Sequence, residues 1–220
     1  MSDTPRDLQQ FQHPRFAKIY AGVSAEAERR GGTEHRRRLL TGLTGRVVEI
    51  GAGHGLNFPH YPPEVTDVLA VEPDDTLRAL AERAAADAPV QVQVVAGHAD
   101  ALPAADATID NAVTSLVLCT VPDARRALGE IRRVLVPGGQ LRYYEHVRSD
   151  GVKGVLEDAV RPLWNRIAGG CSPNRRTSDT IRAAGFVLEH EDRFTWRPAR
   201  LSPASDHVIG RARTPAGPAT

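Results

Sequence analysis

The sequence predicts an α/β domain built on a doubly wound, mostly parallel sheet of seven strands, the last antiparallel, with helices on both faces. Three observations carry this. Short β-branched, apolar runs alternate with amphipathic helical stretches, the pattern of parallel strands joined by helical crossovers. One such run, Val47-Val48-Glu49-Ile50, leads straight into Gly51-Ala52-Gly53-His54-Gly55, a turn whose glycines let a ligand lie against the backbone. An acidic residue, Glu72, closes the next run, Val68-Leu69-Ala70-Val71, roughly 20 residues on, where nucleotide-binding βαβ units place a ribose-binding carboxylate.

A chain of 220 residues suits one such domain with a sizeable core. Its formal net charge of +1, with no basic tail or stripe, argues against a nucleic-acid partner. Two cysteines, Cys119 and Cys171, are too few for a disulfide framework. Neither a membrane-length apolar run nor a signal-peptide layout is seen, so a cytoplasmic protein is expected. Lys18 and Lys153 are the only lysines among 28 basic residues, a bias associated, with the abundant alanine, with GC-rich bacterial genomes.

Taken in order, residues 1–12 form a polar lead expected to be mobile. Pro14 starts a helix with Phe16, Ile19 and Tyr20 at helical spacing, and a second short helix over 34–40 packs Leu39 and Leu40. The Arg36-Arg37-Arg38 run in it reads as a solvated face. Residues 1–45 together read as a helical lid segment, in which His13 and Tyr20 either reach the site or only pack. The domain proper spans 46–213. Its glycine turn is expected to open an amphipathic helix that Tyr61-Pro62-Pro63 ends. A strand over 68–72 then feeds a helix over 74–86, capped by Asp74 or Asp75. Strands over 90–95 and 109–113 follow. Asp123 opens a helix over 124–135 whose buried stripe is Ala127, Leu128, Ile131, Val134 and Leu135. Pro137-Gly138-Gly139 turns into a fifth strand over 140–147. After it come a helix over 155–170, with Leu156, Val160, Leu163, Trp164 and Ile167 apolar, and another over 174–184 that Gly185 stops. Two strands, 186–195 and 205–213, precede a Pro/Gly/Ala-rich tail, 214–220, expected to be disordered.

The glycine spacing narrows the ligand. Dinucleotide loops read G-x-G-x-x-G, but here Gly55 comes one place early, and Leu56 and Asn57 stand where that pattern wants a small residue. Glu49 would repel a pyrophosphate yet accept hydrogen bonds from an ammonium group. The ligand implied is a nucleoside with a cationic amino-acid tail. Ligands of such sheets sit outside the carboxyl ends of the central strands, so Thr114, Ser115 and Leu116 should face it as well. On the fifth strand, alternation puts Tyr143 and Glu145 on one face and Tyr144 and His146 on the other. His146 suits proton acceptance at neutral pH, or else only orders its loop.

The run from Glu49 to Gly55, E-x-G-x-G-x-G, resembles the first motif of the class I S-adenosylmethionine-dependent methyltransferases, which share a Rossmann-like fold. A wider set is similar to the branch holding the alkyl-thiol S-methyltransferases of animals and bacterial type 11 relatives. It comprises E-x-G-x-G-x-G-x-N-F-x-x-Y-P-P (49–63), S-L-V-L-C-x-V (115–121), P-G-G-x-x-x-x-x-E-H-V (137–147), P-x-W (162–164) and G-G-C-x-x-x-R (169–175). The resemblance implies S-adenosylmethionine as cofactor and S-adenosylhomocysteine as product. Its binding residues would be Glu49, Gly51, Ala52, Gly53, Gly55, Asn57, Glu72, Pro73, His98, Ala99, Thr114, Ser115 and Leu116. His98 stands where the family's adenine loop commonly has an acidic residue, so the adenine would be read by His98 or by the Ala99 amide.

The resemblance further implies methyl transfer to a small molecule, a thiol first. N- or O-methylation of a secondary metabolite or lipid head group, and a non-catalytic cofactor-binding module, are the alternatives. A nicotinamide oxidoreductase is argued against by the early third glycine. A thiol, with pKa about 8.5, needs little activation, so His146 or Tyr20 as catalytic residue would mainly orient it. Cys119 and Cys171 read as small buried apolar residues. No His/Cys/Asp/Glu cluster has metal-ligand spacing along the chain, and no metal is expected. Animal members carry an N-terminal hydrophobic anchor where this chain has polar and charged residues, so membrane attachment does not carry over.

Overall fold

The computed structural model describes residues 8–167, 171–172, 174–200 and 202–216. The expectations for residues 1–7, for Gly169-Gly170 and for residues 217–220 lie outside the described residues, as do the side chains of Phe16, Leu163, Trp164 and Ile167. Seven strands are present: β1 Gly45–Ile50, β2 Val65–Val71, β3 Gln91–Val95, β4 Ile109–Ser115, β5 Leu135–His146, β6 Val187–Trp196 and β7 Ser205–Arg213. They form one sheet in the order β3-β2-β1-β4-β5-β7-β6, in which β7 alone runs antiparallel to its neighbours. The chain winds outward from β1 to β3 and then returns to β4 on the other side of β1. That reversal opens a crevice at the carboxyl ends of β1 and β4.

Both faces of the sheet are covered, which is why β1 reads as an unbroken apolar run. Alternation sends Val48 and Ile50 to one face, where they meet Leu128, Ile131 and Val134 of the helix α4 (Ala124–Val134) and Ile181 of α6 (Thr177–Ala183). It sends Val47 to the other, under Leu39 and Leu40 of α2 (Thr33–Leu40) and Ala81 of α3 (Asp75–Ala85). Each of α3 and α4 is opened by an aspartate. Asp74 Oδ1 accepts from the Thr76 and Leu77 amides at 2.9 and 3.0 Å, and Asp123 Oδ1 from those of Arg125 and Arg126 at 2.9 and 3.1 Å. Two further helices are α1 (Pro14–Ala27) and α5 (Gly151–Ile167). Among the described residues no helix is long and apolar enough to cross a membrane.

Three local expectations are corrected. No α-helix follows the glycine turn. The chain makes a single 3-10 turn, Phe58–His60, because Gly55 takes a left-handed φ of +83° and Pro59, Pro62 and Pro63 lack the amides a helix needs. The lead is docked from Leu8 onward: Leu8–Phe11 is a 3-10 turn, Gln12 Nε2 donates to the Pro73 carbonyl at 2.8 Å, and the His13 amide to Asp74 Oδ2 at 2.8 Å. And a wide turn at Glu28–Gly32, with Gly31 at φ +114°, rolls α2 so that Arg36 points inward.

Candidate functional site

The three glycines of the loop do different work. At Gly51, φ +65°, an added Cβ would meet Val117 Cγ2 at 2.6 Å, so the loop passes beneath the segment after β4 only as glycine. At Gly55 a Cβ would lie 2.8 Å from both Ala84 and Phe58, which makes it a packing position and not part of a groove. Gly53, φ +59°, is open: the nearest atom to its Cβ position is Tyr20 Cε1 at 3.9 Å. The Gly53 amide donates to Glu72 Oε2 at 2.8 Å, and the Asp74 amide to Oε1 at 2.9 Å. Burial pushes the Glu72 carboxyl up to about 7, against the pull of those two amides. An open glycine backbone beside a buried carboxylate with free lone pairs fits a ribose.

The other wall of this groove is the loop after β3. His98 Nδ1 is paired with Asp100, while Nε2 is buried without a hydrogen-bond partner. Such an orphaned ring nitrogen fits the polar edge of a base. Ala99 beside it is 5% exposed. Phe11 stacks on the His98 ring with centroids 3.9 Å apart, and Gln12 holds Pro73, so the N-terminal segment bridges both walls. His13 itself is exposed and meets Asp74 through its backbone amide.

Beneath the loop lies a buried polar chain. Glu49, 2% exposed, accepts from Asn57 Nδ2 at 2.9 Å and from the Tyr61 hydroxyl at 2.7 Å. Burial pushes its carboxyl up to about 7, opposed by those hydrogen bonds and by the Arg36 charge. Arg36 donates to Asn57 Oδ1 at 2.9 Å, to Ser115 Oγ at 3.2 Å and to Glu28 Oε1 at 2.9 Å. This buried cation was hidden in a run that reads as solvated. Its signal was positional: Arg36 precedes Leu39 and Leu40 by three and four residues and so shares their face. Tyr20 leans its ring against His54, whose Nε2 meets Ser24 Oγ at 3.0 Å. Burial pushes the Tyr20 hydroxyl above its ordinary range, so it stays a donor.

The ends of β4 and β5 form the second pole. Thr114 is fully buried, and Leu116 is held at φ +61°, its amide donating a hydrogen bond to the Tyr144 carbonyl at 2.7 Å. Tyr144 and His146 share a face, as alternation requires: the Tyr144 hydroxyl meets His35 Nδ1 at 3.2 Å, and both rings flank His207. Phe194 and Trp196 of β6 complete this aromatic wall. Burial drives the His207 ring down to about 3, so it is neutral at any working pH. Glu145 turns the other way. Its Oε1 accepts from the Val117 and Leu118 amides at 3.2 and 3.0 Å and its Oε2 from Cys119 at 3.1 Å.

Folding brings together a His/Cys set that spacing along the chain does not suggest. His146 Nδ1 lies 3.6 Å from the sulfurs of both Cys119 and Cys171, and the sulfurs are 3.8 Å apart. Separations of 25, 27 and 52 residues conceal the cluster in the sequence. Burial lowers the affinity of His146 for protons, but Cys119, Glu145 and Glu157 outweigh it and lift the ring above its ordinary value. The Cys119 thiol is pushed well up, first by Cys171 and then by burial.

A model of the family described as "Methyltransferase domain" matches residues 48–143. The chain is 34% identical over 180 residues to the human protein named Thiol S-methyltransferase TMT1B, an overlap of 79% of this chain and 73% of that one. It is 30% identical over 209 residues to human Thiol S-methyltransferase TMT1A, covering 90% of this chain and 82% of the relative. Among solved structures, a SAM-dependent methyltransferase of Thermotoga maritima superposes with a TM-score of 0.68 at 25% identity, over 91% of this chain and 97% of that one.

Proposed function

This chain belongs to the S-adenosylmethionine-dependent methyltransferases, and we propose that the acceptor it methylates is a small-molecule thiol. The observation that carries the proposal is the pole at the ends of β4 and β5, where an imidazole nitrogen and two sulfurs converge beside an aromatic wall. The neighbouring carboxylate, Glu145, is engaged by three amides and supplies no base. A thiol, with pKa about 8.5, asks for none, whereas an amine or phenol would. The names of the two human relatives support the same acceptor.

When bound, the cofactor supplies a methyl group already activated on a sulfonium. Everything else falls to this chain's own groups. Glu72 accepts from the ribose hydroxyls, and the open Gly53 backbone lets the nucleoside lie against it. His98 Nε2, with the Ala99 backbone beside it, reads the base edge. Glu49, Asn57 and Arg36 under Gly51 and Ala52 hold the amino-acid tail, the acid facing its ammonium and the guanidinium its carboxylate. Thr114, Ser115 and Leu116 close that end. Tyr20, whose ring faces Gly53, excludes water from the transfer path, and His146 orients the acceptor sulfur. The net charge of +1 and the free thiols support a cytoplasmic enzyme with a small-molecule, not nucleic-acid, acceptor.

The test is transfer of labelled methyl from S-adenosylmethionine to panels of small thiols, amines and phenols, with Gly53→Arg as control. Labelled thioether that disappears in the variant is expected. Labelled amine or ether products with every thiol rejected would overturn the assignment.

A further inference from the structure

We propose that Cys119, His146 and Cys171 form a zinc site with an open fourth position, and that the acceptor sulfur occupies this position as a thiolate. The second half of the proposal rests on the thiol reading above; the first stands on geometry alone. A tetrahedral zinc with Zn–S of about 2.3 Å and Zn–N of about 2.0–2.1 Å sets S···S at about 3.8 Å and S···N at about 3.6 Å. The observed separations are 3.8 Å between the sulfurs and 3.6 Å from His146 Nδ1 to each. Two thiols packed for their own sake also touch near 3.8 Å; the ring nitrogen equidistant from both is what makes three corners of a tetrahedron. Two thiolates and an imidazole are a borderline-soft donor set that selects zinc over calcium or magnesium, and three protein ligands leave the position that catalytic zinc sites keep open.

The cluster is also held in place from outside, as metal ligands are. Glu145 fixes the loop of Cys119 through three amides. The segment of Cys171 is tied to that same loop: the Ser172 amide donates to the Cys119 carbonyl at 2.8 Å, and Arg175 donates to the carbonyls of Leu118 and Val121 at 2.8 and 2.5 Å. Two sulfur-bearing segments 52 residues apart are thus laced into one unit. The unit borders the proposed cofactor groove, because Val117, whose amide shares Glu145 with those of Leu118 and Cys119, lies 2.6 Å from the Cβ position of Gly51 in the glycine loop.

The chemistry balances without an oxidant. The acceptor R–SH displaces water from the fourth position and its proton passes to solvent. The coordinated sulfur then forms a bond to the methyl carbon as that carbon's bond to the sulfonium breaks, the electron pair staying with the departing sulfur. The product thioether is neutral, a weaker ligand than the thiolate, and leaves.

The test titrates chelator-stripped, reduced protein with Co²⁺ and then Zn²⁺. A thiolate-to-cobalt charge-transfer absorption with tetrahedral visible bands is expected at one equivalent, displaced by Zn²⁺ and shifted by a small alkanethiol. Cys171→Ser, at a half-exposed position, and His146→Ala should each weaken cobalt binding by more than the roughly 10–100-fold that outer-shell changes cost. Absence of the charge-transfer band in the wild type, its persistence at full affinity in both variants, or formation of a Cys119–Cys171 disulfide in place of metal binding would overturn the site. A normal cobalt site that no thiol perturbs would overturn the second half alone. Thiol methylation that persists undiminished in the stripped enzyme would do the same while leaving the thiol reading intact.

Discussion

Replacing Glu49 by Gln should flatten the dependence of stability on pH. Glu49 is 2% exposed, and burial, only partly offset by Tyr61, Asn57 and Arg36, holds its carboxyl at about 7 against an ordinary 4.5. The unfolded chain therefore loses this proton first as pH rises, and the folded state binds more protons in between. The stabilisation is fully present below the ordinary value and is lost as pH climbs through about 7. Between about pH 5 and about pH 8 this one group costs the wild type about 2–3 kcal/mol. Gln keeps the shape and stays neutral. It mismatches one of the two donors, Asn57 Nδ2 or the Tyr61 hydroxyl, at a cost of about 1 kcal/mol that does not vary with pH. Urea unfolding at the two pH values measures the difference. The gap between variant and wild type should move by about 2–3 kcal/mol in favour of Gln; a variant whose stability falls as steeply as the wild type's would refute the burial argument. Glu72, also held at about 7, leaves its own share of the slope in both proteins.

Gly53→Arg should abolish cofactor binding by calorimetry while lowering unfolding free energy by only about 1–2 kcal/mol, the cost of a side chain at φ +59° with open space around it; binding that survives would place the groove elsewhere. Arg36→Met leaves Glu28, Asn57 and Ser115 without their buried donor and should destabilise by about 3 kcal/mol, an effect that thermal unfolding would show absent if Arg36 were merely solvated. With Glu49 and Glu72 both near 7 in the free protein and each proposed to serve the ligand as an anion, cofactor binding should release protons below about pH 7 and tighten as pH rises toward that value, by up to about tenfold per pH unit per group, and level off above it. Calorimetry in two buffers of different ionisation enthalpy reads the proton count, and net uptake would contradict the assignment.

Much of the proposed cofactor half is legible in the sequence because it is local. A β-branched run, glycines that must turn and an acid at the end of the next strand are constraints written within one βαβ-length stretch; that the Gly53 amide donates to Glu72 is not among them. The helix expected after the loop does not form because Pro59, like Pro62 and Pro63, lacks the amide a helix needs. Arg36 reads as one of three like neighbours, while its register with Leu39 and Leu40 carries the information that it is buried. The cluster of Cys119, His146 and Cys171 had no local signature at all. It exists because the β4 loop, the end of β5 and the segment after α5 meet at one corner of the sheet, and that meeting belongs to topology.

The β6–β7 hairpin gives the molecule a division that the sheet alone does not suggest. Everything proposed to grip the cofactor comes from residues up to Leu116, whereas Phe194, Trp196 and His207, the wall beside the acceptor pole, arrive on a hairpin appended after the winding is complete. Its inner strand β7 is anchored along β5 from Gln140 to His146, while its tip is tied to the turn that sets Arg36: Trp196 Nε1 donates to the Arg30 carbonyl and the Arg200 amide to Glu26 Oε1, each at 3.0 Å. Selection acting on acceptor choice thus has a partly separate target: grafting the hairpin between related chains, with its contacts to Glu26, Arg30 and α2 kept, should transplant preference for one acceptor over another while leaving the cofactor grip in place.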